Sequence, residues 1–503
     1  MEQLKLNKKR TFFIGLAFLA ILMLWRVHLV QTPLLLRSLL TSEFGPREDN
    51  YLGVIGIIMG IDNLLAILLL PLFGMWSDRT VNRLGKRMTF ILIGGALSVI
   101  FFPLMAVMFL LGSFWMFVIM IGLMKISMNL WRGPAVALMP DITPKPLRPK
   151  ANAIINFVGY IGAIVGSLFV MMWSFDLDTD ATYQSSATIP FFLTAIAMAT
   201  VIGILLWKFR ENKVNAEMAE QMEAGENLSE TQEKVVADRP LSKKDKLNLW
   251  IVMTAVFLAW FAFNAIDTFG SNFEQDRFGT SDWGILGAVL ALSAMASFLP
   301  CIKLTKRIGR KNSVLIGLAI VTLSLVIAMF MSSTWHLVPV FMMSGLGWAL
   351  VNISAFPIVV EMASLKNIGK ITGIYYIATQ SAQFLTSVAA GYLFGALGSS
   401  WIDYFWLYGI VFMIAAFIMT LFFKPRRVDL ASIESTPEPT AEVGPTPTPT
   451  RSVANAEPRA SKQSPAPQPT DEKLERAKKS IMRDIAELEK IAEEDSDEQT
   501  KLS

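Results

Sequence analysis

The feature that most constrains this chain is a series of long apolar stretches separated by short polar segments. A helix needs about 20 apolar residues to cross the hydrocarbon core of a bilayer. Only 17% of the 503 residues are charged, against about a quarter in soluble proteins. The sequence therefore predicts an all-α, multi-pass membrane protein with twelve transmembrane helices. The stretches lie near residues 12–36, 51–75, 89–112, 114–138, 151–174, 189–208, 249–272, 283–303, 313–332, 335–361, 371–397 and 402–423.

The distribution of Lys and Arg predicts the orientation of these helices, because positively charged loops stay in the cytoplasm. Basic residues cluster at the start of the chain and in the segments 79–87, 209–247 and 303–311, whereas Arg47 and Arg277 stand in the loops of the opposite side. Both termini are expected to be cytoplasmic. The first stretch is too long for a cleaved signal and is expected to remain as a span. The expected location is the cell membrane, which is the inner membrane if the host is bacterial.

The predicted helices fall into two sets of six. Residues 1–208 are expected to form an N-terminal bundle, 209–247 a polar cytoplasmic connector and 248–424 a C-terminal bundle. The sequence Gly-Lys-Arg at 85–87 follows the second stretch, and Gly-Arg-Lys at 309–311 follows the eighth. A loop repeated in both halves of a six-plus-six chain indicates a transporter that rocks two bundles about a central site.

Residues 425–503 are predicted to be a cytoplasmic tail. The part from 436 to 470 is rich in Pro, Thr and Ser and is not expected to pack. Residues 471–493 place apolar side chains at helical spacing. This segment is expected to be a short amphipathic helix, which either binds an unknown partner or stays solvated.

Composition excludes several classes of function. One cysteine, Cys301, and two histidines, His28 and His336, argue against a disulfide framework and against a metal site built from these side chains. The chain has no phosphate-binding loop motif, so ATP is not expected to drive it. The dispersed net charge of +4 gives no reason to expect nucleic acid. We expect no enzyme activity and no cofactor, and a monomer whose partners are the lipid bilayer and a small solute.

The loop after the second predicted helix combines glycine with a cluster of charges. Its candidate gating residues are Gly74, Asp78, Arg79, Arg83, Gly85, Lys86 and Arg87. Asp78 and the basic side chains can form a charge-assisted clamp at the helix ends, and Gly74 is expected to let helices approach closely. The alternative is a basic loop that only sets the orientation. The loop resembles the signature loop of the major facilitator superfamily, and its longer spacing is similar to that of the sucrose-transporter and glycoside–pentoside–hexuronide branch.

Two further segments resemble the sucrose-transporter branch. Residues 132–141 are similar to the motif that closes its fourth span, and Asp267 followed by Glu274 is similar to its seventh span. The resemblance implies a major facilitator fold and sugar transport by alternating access. Lys125 stands where the family has its proton-binding Asp, and Phe273 stands where it has an Arg. Sucrose as the substrate and the usual proton site therefore do not carry over.

Ionisable residues inside the predicted spans cost roughly 2.5–3.5 kcal/mol each and mark candidate sites. Asp62 is expected to pair with Lys125 or Arg132, and either it holds the coupling ion or the pair is purely structural. Asp267 is expected to accept sugar hydroxyls or to form an outer gate. Glu274 shares its helix face and is expected to have the same role, and the alternative for Glu274 is a solvated carboxylate of the outer loop. The candidates for substrate binding or coupling are Asp62, Lys125, Arg132, Asp267, Arg26, His28, Asn63, Asn129, Asn352 and Glu274.

The remaining candidates have more than one interpretation. Arg26 is expected either to bond sugar hydroxyls or to neutralise Asp62 or Asp267. His28 titrates near neutral pH when unperturbed, but a lone histidine is more often a satisfied polar contact. Trp260 and Trp348 are candidates for stacking on the apolar face of a sugar ring, although core packing explains each of them singly.

The expected function is secondary transport of a neutral sugar, such as sucrose, maltose or a glucoside, with a proton or else sodium as the coupling ion. Two alternatives stay open. One is an uncoupled sugar facilitator or an exporter, because a permanent cation at Lys125 would hold Asp62 ionised. The other is a transporter-like sugar sensor that signals through its tail.

Overall fold

The computed structural model describes residues 4–173, 186–235, 243–280, 282–362 and 368–424. Within these ranges the protein consists of α-helices, two short 3-10 segments and turns, and it contains no β-strand. The predicted disorder at 436–470 and the predicted helix at 471–493 lie outside the described residues.

Each of the twelve predicted stretches corresponds to one long helix, and a further helix forms in the connector. The six N-terminal helices are α1 (Lys8–Phe44), α2 (Leu52–Arg79), α3 (Lys86–Leu110), α4 (Phe114–Asp141), α5 (Arg148–Met172) and α6 (Ile189–Lys208). The connector contains α7 (Glu211–Val235). The six C-terminal helices are α8 (Lys243–Phe278), α9 (Trp283–Ile308), α10 (Arg310–Ala328), α11 (Thr334–Met362), α12 (Ile368–Ala396) and α13 (Trp401–Phe422).

Ten of the described helices are long and apolar enough to cross a membrane. Helix α9 adds an eleventh if its two segments, which meet at an angle of 57° next to Pro300, are one span. Helix α12 is not among them, and it carries polar side chains such as Gln380 and Gln383. The protein is thus a multi-pass helical membrane protein, while the count of twelve spans and the cytoplasmic termini stay predictions.

The N-terminal helices and the C-terminal helices pack in corresponding ways. Helix α1 packs on α5, α2 on α4 and α3 on α4, and in the same manner α8 packs on α12, α9 on α11 and α10 on α11. The two sets meet mainly where α2 lies against α12 and where α5 lies against α9. These two contacts correspond to each other when the sets are exchanged, as expected of a chain built from two similar halves.

Glycines allow the closest approach between the two sets. A Cβ atom on Gly56 of α2 would lie 2.1 Å from the carbonyl oxygen of Ser387 in α12, and one on Gly391 would lie 2.5 Å from the carbonyl oxygen of Leu52. Because both neighbours are backbone atoms, neither position has room for a side chain. By contrast, a Cβ atom on Gly74 would meet nothing within 4 Å, so the close approach predicted at Gly74 is wrong.

The repeated glycine and basic motif forms the same kind of turn in both halves. Gly85 precedes α3 with φ at 107°, and Gly309 precedes α10 with φ at 83°. Both values lie in the region that residues with a side chain rarely adopt. The repeated motif therefore has a physical reason, because each half needs a residue with positive φ immediately before a helix and glycine adopts this conformation without strain.

Candidate transport site

A cavity of about 230 Å³ lies between the N-terminal and C-terminal helices. Its wall is mainly apolar and aromatic. Among the described residues that line it, Arg26 and Asp267 are the only charged ones. The aromatic side chains in the wall are Trp25, Tyr160, Phe263, Trp283, Phe341, Trp348 and Trp406.

Arg26 of α1 reaches across the cavity to the C-terminal helices. Its Nη1 atom lies 3.0 Å from Oδ1 of Asp267 in α8, and its Nη2 atom donates to the carbonyl oxygen of Trp283 at 3.3 Å. A Cβ atom on Gly287 of α9 would lie only 1.7 Å from Nη2, so the guanidinium occupies the space of a missing side chain. Arg26 was expected either to bond sugar hydroxyls or to neutralise Asp62 or Asp267, and in the structure it forms an ion pair with Asp267.

A second ion pair joins the two sets closer to the ends of α1 and α8. Arg37 Nη1 lies 2.5 Å from Oδ1 of Asp276, and the indole N–H of Trp401 donates to Oδ2 at 3.1 Å. Both ion pairs between the sets, as far as the described residues extend, lie between mid-depth and the end where α1 and α8 finish. That end is predicted to be extracellular, so the two ion pairs hold the sets together on the predicted outer side of the cavity.

The cavity wall contains a pair of stacked aromatic rings. The rings of Phe263 and Trp348 are stacked with centroids 4.2 Å apart and an interplanar angle of 4°, and Trp260 meets Trp348 edge-on at 5.1 Å. Trp348 lines the cavity, whereas Trp260 supports it from behind. Such a pair can pack against the C–H face of a sugar ring or against another flat ring.

Lys125 does not form the predicted ion pair with Asp62. Its ammonium group donates to the carbonyl oxygens of Met59 at 2.9 Å and Ile58 at 3.3 Å on α2, and neither Asp62 nor any other carboxylate lies within 4 Å of it in the described helices. An ammonium group has three donors, and these backbone oxygens satisfy two of them. Arg132 is also not the partner, because its guanidinium lies over the ring of Trp25 at 5.7 Å.

Asp62 is nevertheless part of a fully buried polar cluster between α1, α2 and α4. The Asn129 amide donates to Oδ1 of Asp62 at 3.4 Å and to the carbonyl oxygen of Lys125 at 2.9 Å. His28 contacts the Thr32 hydroxyl through Nδ1 at 2.9 Å. Oδ2 of Asp62, Oδ1 of Asn129 and Nε2 of His28 have no hydrogen-bond partner among the described residues. Buried polar atoms are normally paired. The unpaired atoms of this cluster are therefore able to bind a proton or to form further hydrogen bonds.

Glu274 is not a solvated loop carboxylate, because its side chain is 0% exposed. The hydroxyl of Thr334 in α11 donates to its Oε1 atom. The adjacent Phe273 stacks on Phe405 at 4.3 Å. An apolar contact thus lies next to the buried carboxyl group in α8.

Two further candidates lie apart from the cavity wall. Asn352 is exposed and donates to the carbonyl oxygen of Trp348 in its own helix at 3.0 Å. Asn63 is buried next to Asp62. Neither lines the cavity between the sets.

The predicted gating loop forms a compact charge cluster around Arg87. The buried guanidinium of Arg87 donates to Asp141 Oδ2 at 2.8 Å, to the carbonyl oxygen of Gly74 at 3.3 Å and to the Asp78 carboxylate. Lys86 Nζ lies 3.1 Å from the same Asp141 oxygen. The cluster therefore ties the ends of α2 and α4 to the start of α3.

Not all predicted members of the gating loop belong to this cluster. Arg79 and Arg83 are exposed, and their side chains form no ion pair in the described part of the chain. Their positions on the last turn of α2 and in the following turn direct them to solvent. The clamp is thus formed by Asp78, Lys86 and Arg87 together with Asp141.

The connector helix α7 is attached to the same cluster. Oε2 of Glu211 accepts the backbone N–H groups of Arg87 at 2.9 Å and Met88 at 2.8 Å, which caps the N-terminus of α3. A Cβ atom on Gly85 would lie 2.4 Å from this oxygen. Burial raises the pKa of the Glu211 carboxyl, while the two backbone N–H groups oppose the shift. Further along α7, Glu217 pairs with Arg10 at the start of α1.

Comparison with known families decides the class of the protein. A sequence model of the Major Facilitator Superfamily matches residues 14–387 and 284–464. The chain belongs to the major facilitator superfamily. Members of this superfamily are membrane transporters and not enzymes, so the cavity between the sets is a candidate transport site of a superfamily member.

One curated relative is a distant match. The tetracycline resistance protein, class E, of Escherichia coli is 21% identical over 391 residues, which cover 76% of this chain and 87% of that protein. This relative gives no support for the sucrose-transporter branch in particular.

Solved structures of other transporters share the fold. The D-xylose–proton symporter superimposes with a TM-score of 0.60 at 16% identity and covers 83% of this chain and 97% of its own. The nucleoside transporter NupG gives a TM-score of 0.55 at 14% identity, and the match covers 86% of this chain and 100% of NupG. A bacterial homologue of the human lysosomal transporter Spinster gives a TM-score of 0.58 at 14% identity, and the match covers 82% of this chain and 95% of that protein.

Several residues of the site were not found from the sequence. Asp141 was part of a matched segment, but nothing in its spacing indicated contact with Arg87. Glu211 and Gly287 have no local signal, because their partners are distant in sequence. Arg37 and Asp276 stand near the ends of two predicted spans, and that shared position is the only hint that they meet.

Proposed function

We propose that this superfamily member is a proton-coupled symporter of a neutral sugar, such as a disaccharide or a glucoside. The observation that carries the proposal is the cavity between the two sets of helices. Its wall combines the stacked rings of Phe263 and Trp348 with one hydrogen-bonding pair, Arg26 and Asp267. A sugar ring has an apolar C–H face and polar hydroxyl groups, which match these two elements.

Sugar binding would act on the contact between the sets. Sugar hydroxyls compete with Asp267 for the donors of Arg26, and a weaker ion pair loosens the contact between the sets on the predicted outer side. The volume of about 230 Å³ is below the roughly 300–1,000 Å³ of typical ligand pockets. A disaccharide therefore requires the sets to separate, which is the movement of alternating access.

The coupling ion would bind at Asp62. Within the described part of the chain, Oδ2 of Asp62 is buried and without a hydrogen-bond partner, and the amide of Asn129 is the one donor to Oδ1. A proton on this carboxylate removes a buried charge, whereas sodium would need further oxygen ligands. One proton moved across a membrane contributes about 2.3 kcal/mol per 100 mV.

Uptake of labelled sucrose and maltose into proteoliposomes, with and without an imposed pH gradient, tests this function. We expect accumulation that depends on the gradient in the wild type, and loss of accumulation with retention of downhill exchange in Asp62→Asn. Asp403→Asn is the matched control, since Asp403 is an exposed carboxylate of α13 that does not line the cavity. Flux that ignores the gradient would overturn symport and favour a facilitator.

Export of a flat aromatic compound is the second candidate. The aromatic wall of the cavity favours it, because stacked rings bind planar ligands as well as sugars. The class E tetracycline resistance protein is a relative. In cells that lack other exporters, the protein would then lower the accumulation of tetracycline, and inverted vesicles would release protons when the compound is added. Unchanged accumulation together with sugar uptake would exclude export of that compound.

A further inference from the structure

Glu274 is a buried carboxyl group that the transport cycle described above does not use. It lies near the C-terminal end of α8 and is 0% exposed. No cation of the described helices lies within 4 Å of it. A buried carboxylate without a cationic partner is costly, so the group needs either a proton or strong hydrogen-bond donors.

The charged groups around Glu274 do not neutralise it. Asp282, at the start of α9, is a second carboxylate and acts on Glu274 by repulsion. From α11 the group faces the hydroxyl of Thr334. The charged neighbours on α8 itself are engaged elsewhere, because Asp276 pairs with an arginine of α1 and Arg277 with a carboxylate of α13. Among the groups that the structure describes, hydrogen-bond donors alone stabilise the ionised form of Glu274.

A chain of hydroxyl groups connects Glu274 with the surface. Thr334 donates its hydroxyl hydrogen to Oε1 of Glu274, and the Thr334 and Thr280 hydroxyl oxygens are 3.3 Å apart. Since the Thr334 hydrogen points to the carboxylate, Thr280 is the donor between the two threonines. Thr334 is buried, whereas Thr280 is exposed in the loop between α8 and α9. The chain thus ends in solvent at the predicted outer face.

Trp283 connects the same carboxyl group with the cavity. Its backbone N–H lies close to Glu274, and its carbonyl oxygen accepts a hydrogen bond from Arg26 at 3.3 Å. Trp283 also lines the cavity. One peptide segment at the start of α9 therefore touches both Glu274 and the ion pair of Arg26 with Asp267.

We propose that Glu274 is a second proton-binding site, which exchanges protons with the outer face through the hydroxyl groups of Thr334 and Thr280. It is separate from Asp62, which lies in the N-terminal helices. As a contribution to symport this inference rests on the proposed function, but proton binding at Glu274 does not. Protonation changes the charge next to Trp283 and thereby biases the contact of Arg26 with the C-terminal helices.

Proton uptake along this chain needs no further reactant. A hydronium ion at the surface gives a proton to the Thr280 hydroxyl, Thr280 passes its own hydrogen to Thr334, and Thr334 passes its hydrogen to Glu274. The products are water and a neutral carboxylic acid, while both threonines end as hydroxyl groups. Release to the outside is the reverse of these steps.

Infrared difference spectroscopy of the full chain in lipid bilayers, switched between acidic and alkaline buffer, tests the proposal. A carboxylic-acid C=O band should be present in the wild type and in Asp62→Asn, and one component of it should be missing in Glu274→Gln. Glu211→Gln is the matched control, since Glu211 is the other buried glutamate among the described side chains. This variant should keep the component that is missing in Glu274→Gln. A Glu274→Gln spectrum identical to that of the wild type would overturn the proposal.

Variants of Thr334 test the route and guard against a folding defect. Thr334→Val removes the hydroxyl and should shift the Glu274 component and slow its appearance after a pH jump, whereas Thr334→Ser should restore both. Equal kinetics in the two variants would overturn the hydroxyl route. Sugar uptake is measured in parallel, and its absence in the wild type would contradict the proposed function while leaving the spectroscopic result valid.

Discussion

Arg26 in α1 and Asp267 in α8 form an ion pair of 3.0 Å that crosses from one set of helices to the other beside the cavity. Their side chains are only 12% and 23% exposed. The attraction between the two charges is therefore less screened by water than in a surface pair, although burying both charges costs desolvation free energy. The ion pair makes the contact between the sets at the predicted outer side depend on two residues that also face the cavity.

Removal of this pair should favour opening at the outer side. In Asp267→Asn the Arg26 guanidinium keeps a hydrogen-bond acceptor but loses its counter-charge, so the outward-open fraction should rise several-fold. Spin labels at the exposed positions Glu43 and Tyr404, in a Cys301→Ala background, report the distance between the sets. Longer distances are expected in Asp267→Asn, and the control Asp403→Asn should match the wild type. Unchanged distances in Asp267→Asn would contradict a locking role.

The contact between α2 and α12 should tolerate no side chain at Gly56. In Gly56→Ala the new Cβ atom would meet the Ser387 carbonyl oxygen at 2.1 Å, so α2 and α12 must move apart. We expect reduced transport and a lower thermal midpoint in detergent. Gly122→Ala in α4 is the matched control, because nothing lies within 4 Å of its Cβ position. Equal transport in both variants would mean that this close contact is not needed.

The cluster around Arg87 should show strong energetic coupling to Asp141. Arg87 donates from the rigid plane of its guanidinium, which lysine cannot reproduce. A double-mutant cycle of Arg87→Lys and Asp141→Asn should give a coupling energy of about 0.5–3 kcal/mol. The cycle with Asp78→Asn should give less, since the Asp78 side chain is 55% exposed. Chemical unfolding of the purified protein measures both, and equal coupling energies would contradict the central position of Asp141.

Docking of the connector helix should weaken as pH rises. Burial raises the pKa of the Glu211 carboxyl, so ionisation costs more in the folded protein than in the unfolded chain. The contribution of Glu211 to the free energy of unfolding is therefore complete below the pKa that this carboxyl has in the unfolded chain. It is lost as pH rises through the higher pKa of the folded protein. Glu211→Gln keeps an acceptor oxygen without the charge. Its thermal midpoint should exceed that of the wild type at about pH 8, and the difference should shrink towards about pH 5.

A second variant separates charge from capping at the same position. Glu211→Ala also removes the acceptor for the N–H groups of Arg87 and Met88, which costs about 1 kcal/mol at a helix N-terminus. Its thermal midpoint should lie below the wild type at both pH values. A pH-independent difference between wild type and Glu211→Gln would show that the carboxyl does not titrate in this range.

The helices could be predicted from the sequence because the bilayer leaves few alternatives to a long apolar helix. Helix α7 was missed, although Val214, Met218 and Met222 form a narrow apolar stripe at helical spacing in its otherwise polar sequence. The turns before α3 and α10 were signalled by the repeated glycines. The close contact at Gly74 was predicted wrongly, because a glycine in a motif does not reveal which side of the helix has a neighbour.

The candidate site was predictable only in part. Charges such as Arg26, Asp62 and Asp267 stand out because they are rare inside apolar stretches. Their pairing was not determined, because the sequence gives the depth of a residue in its helix but not how the helix is rotated. Lys125 shows this limit, as it lies at the depth of Asp62 and yet donates to backbone oxygens of α2. The role of Glu274 required knowledge of its burial.

The guanidinium of Arg26 fills the space above Gly287, where a Cβ atom would come within 1.7 Å. The position of this guanidinium therefore depends on the absence of a side chain at 287. A chimera that joins these N-terminal helices to the C-terminal helices of another superfamily member should keep the Arg26 contacts with Asp267 and Trp283 only if that member also has glycine at the position of 287. An alanine there should displace the end of the Arg26 side chain and weaken both contacts, while the helices still assemble.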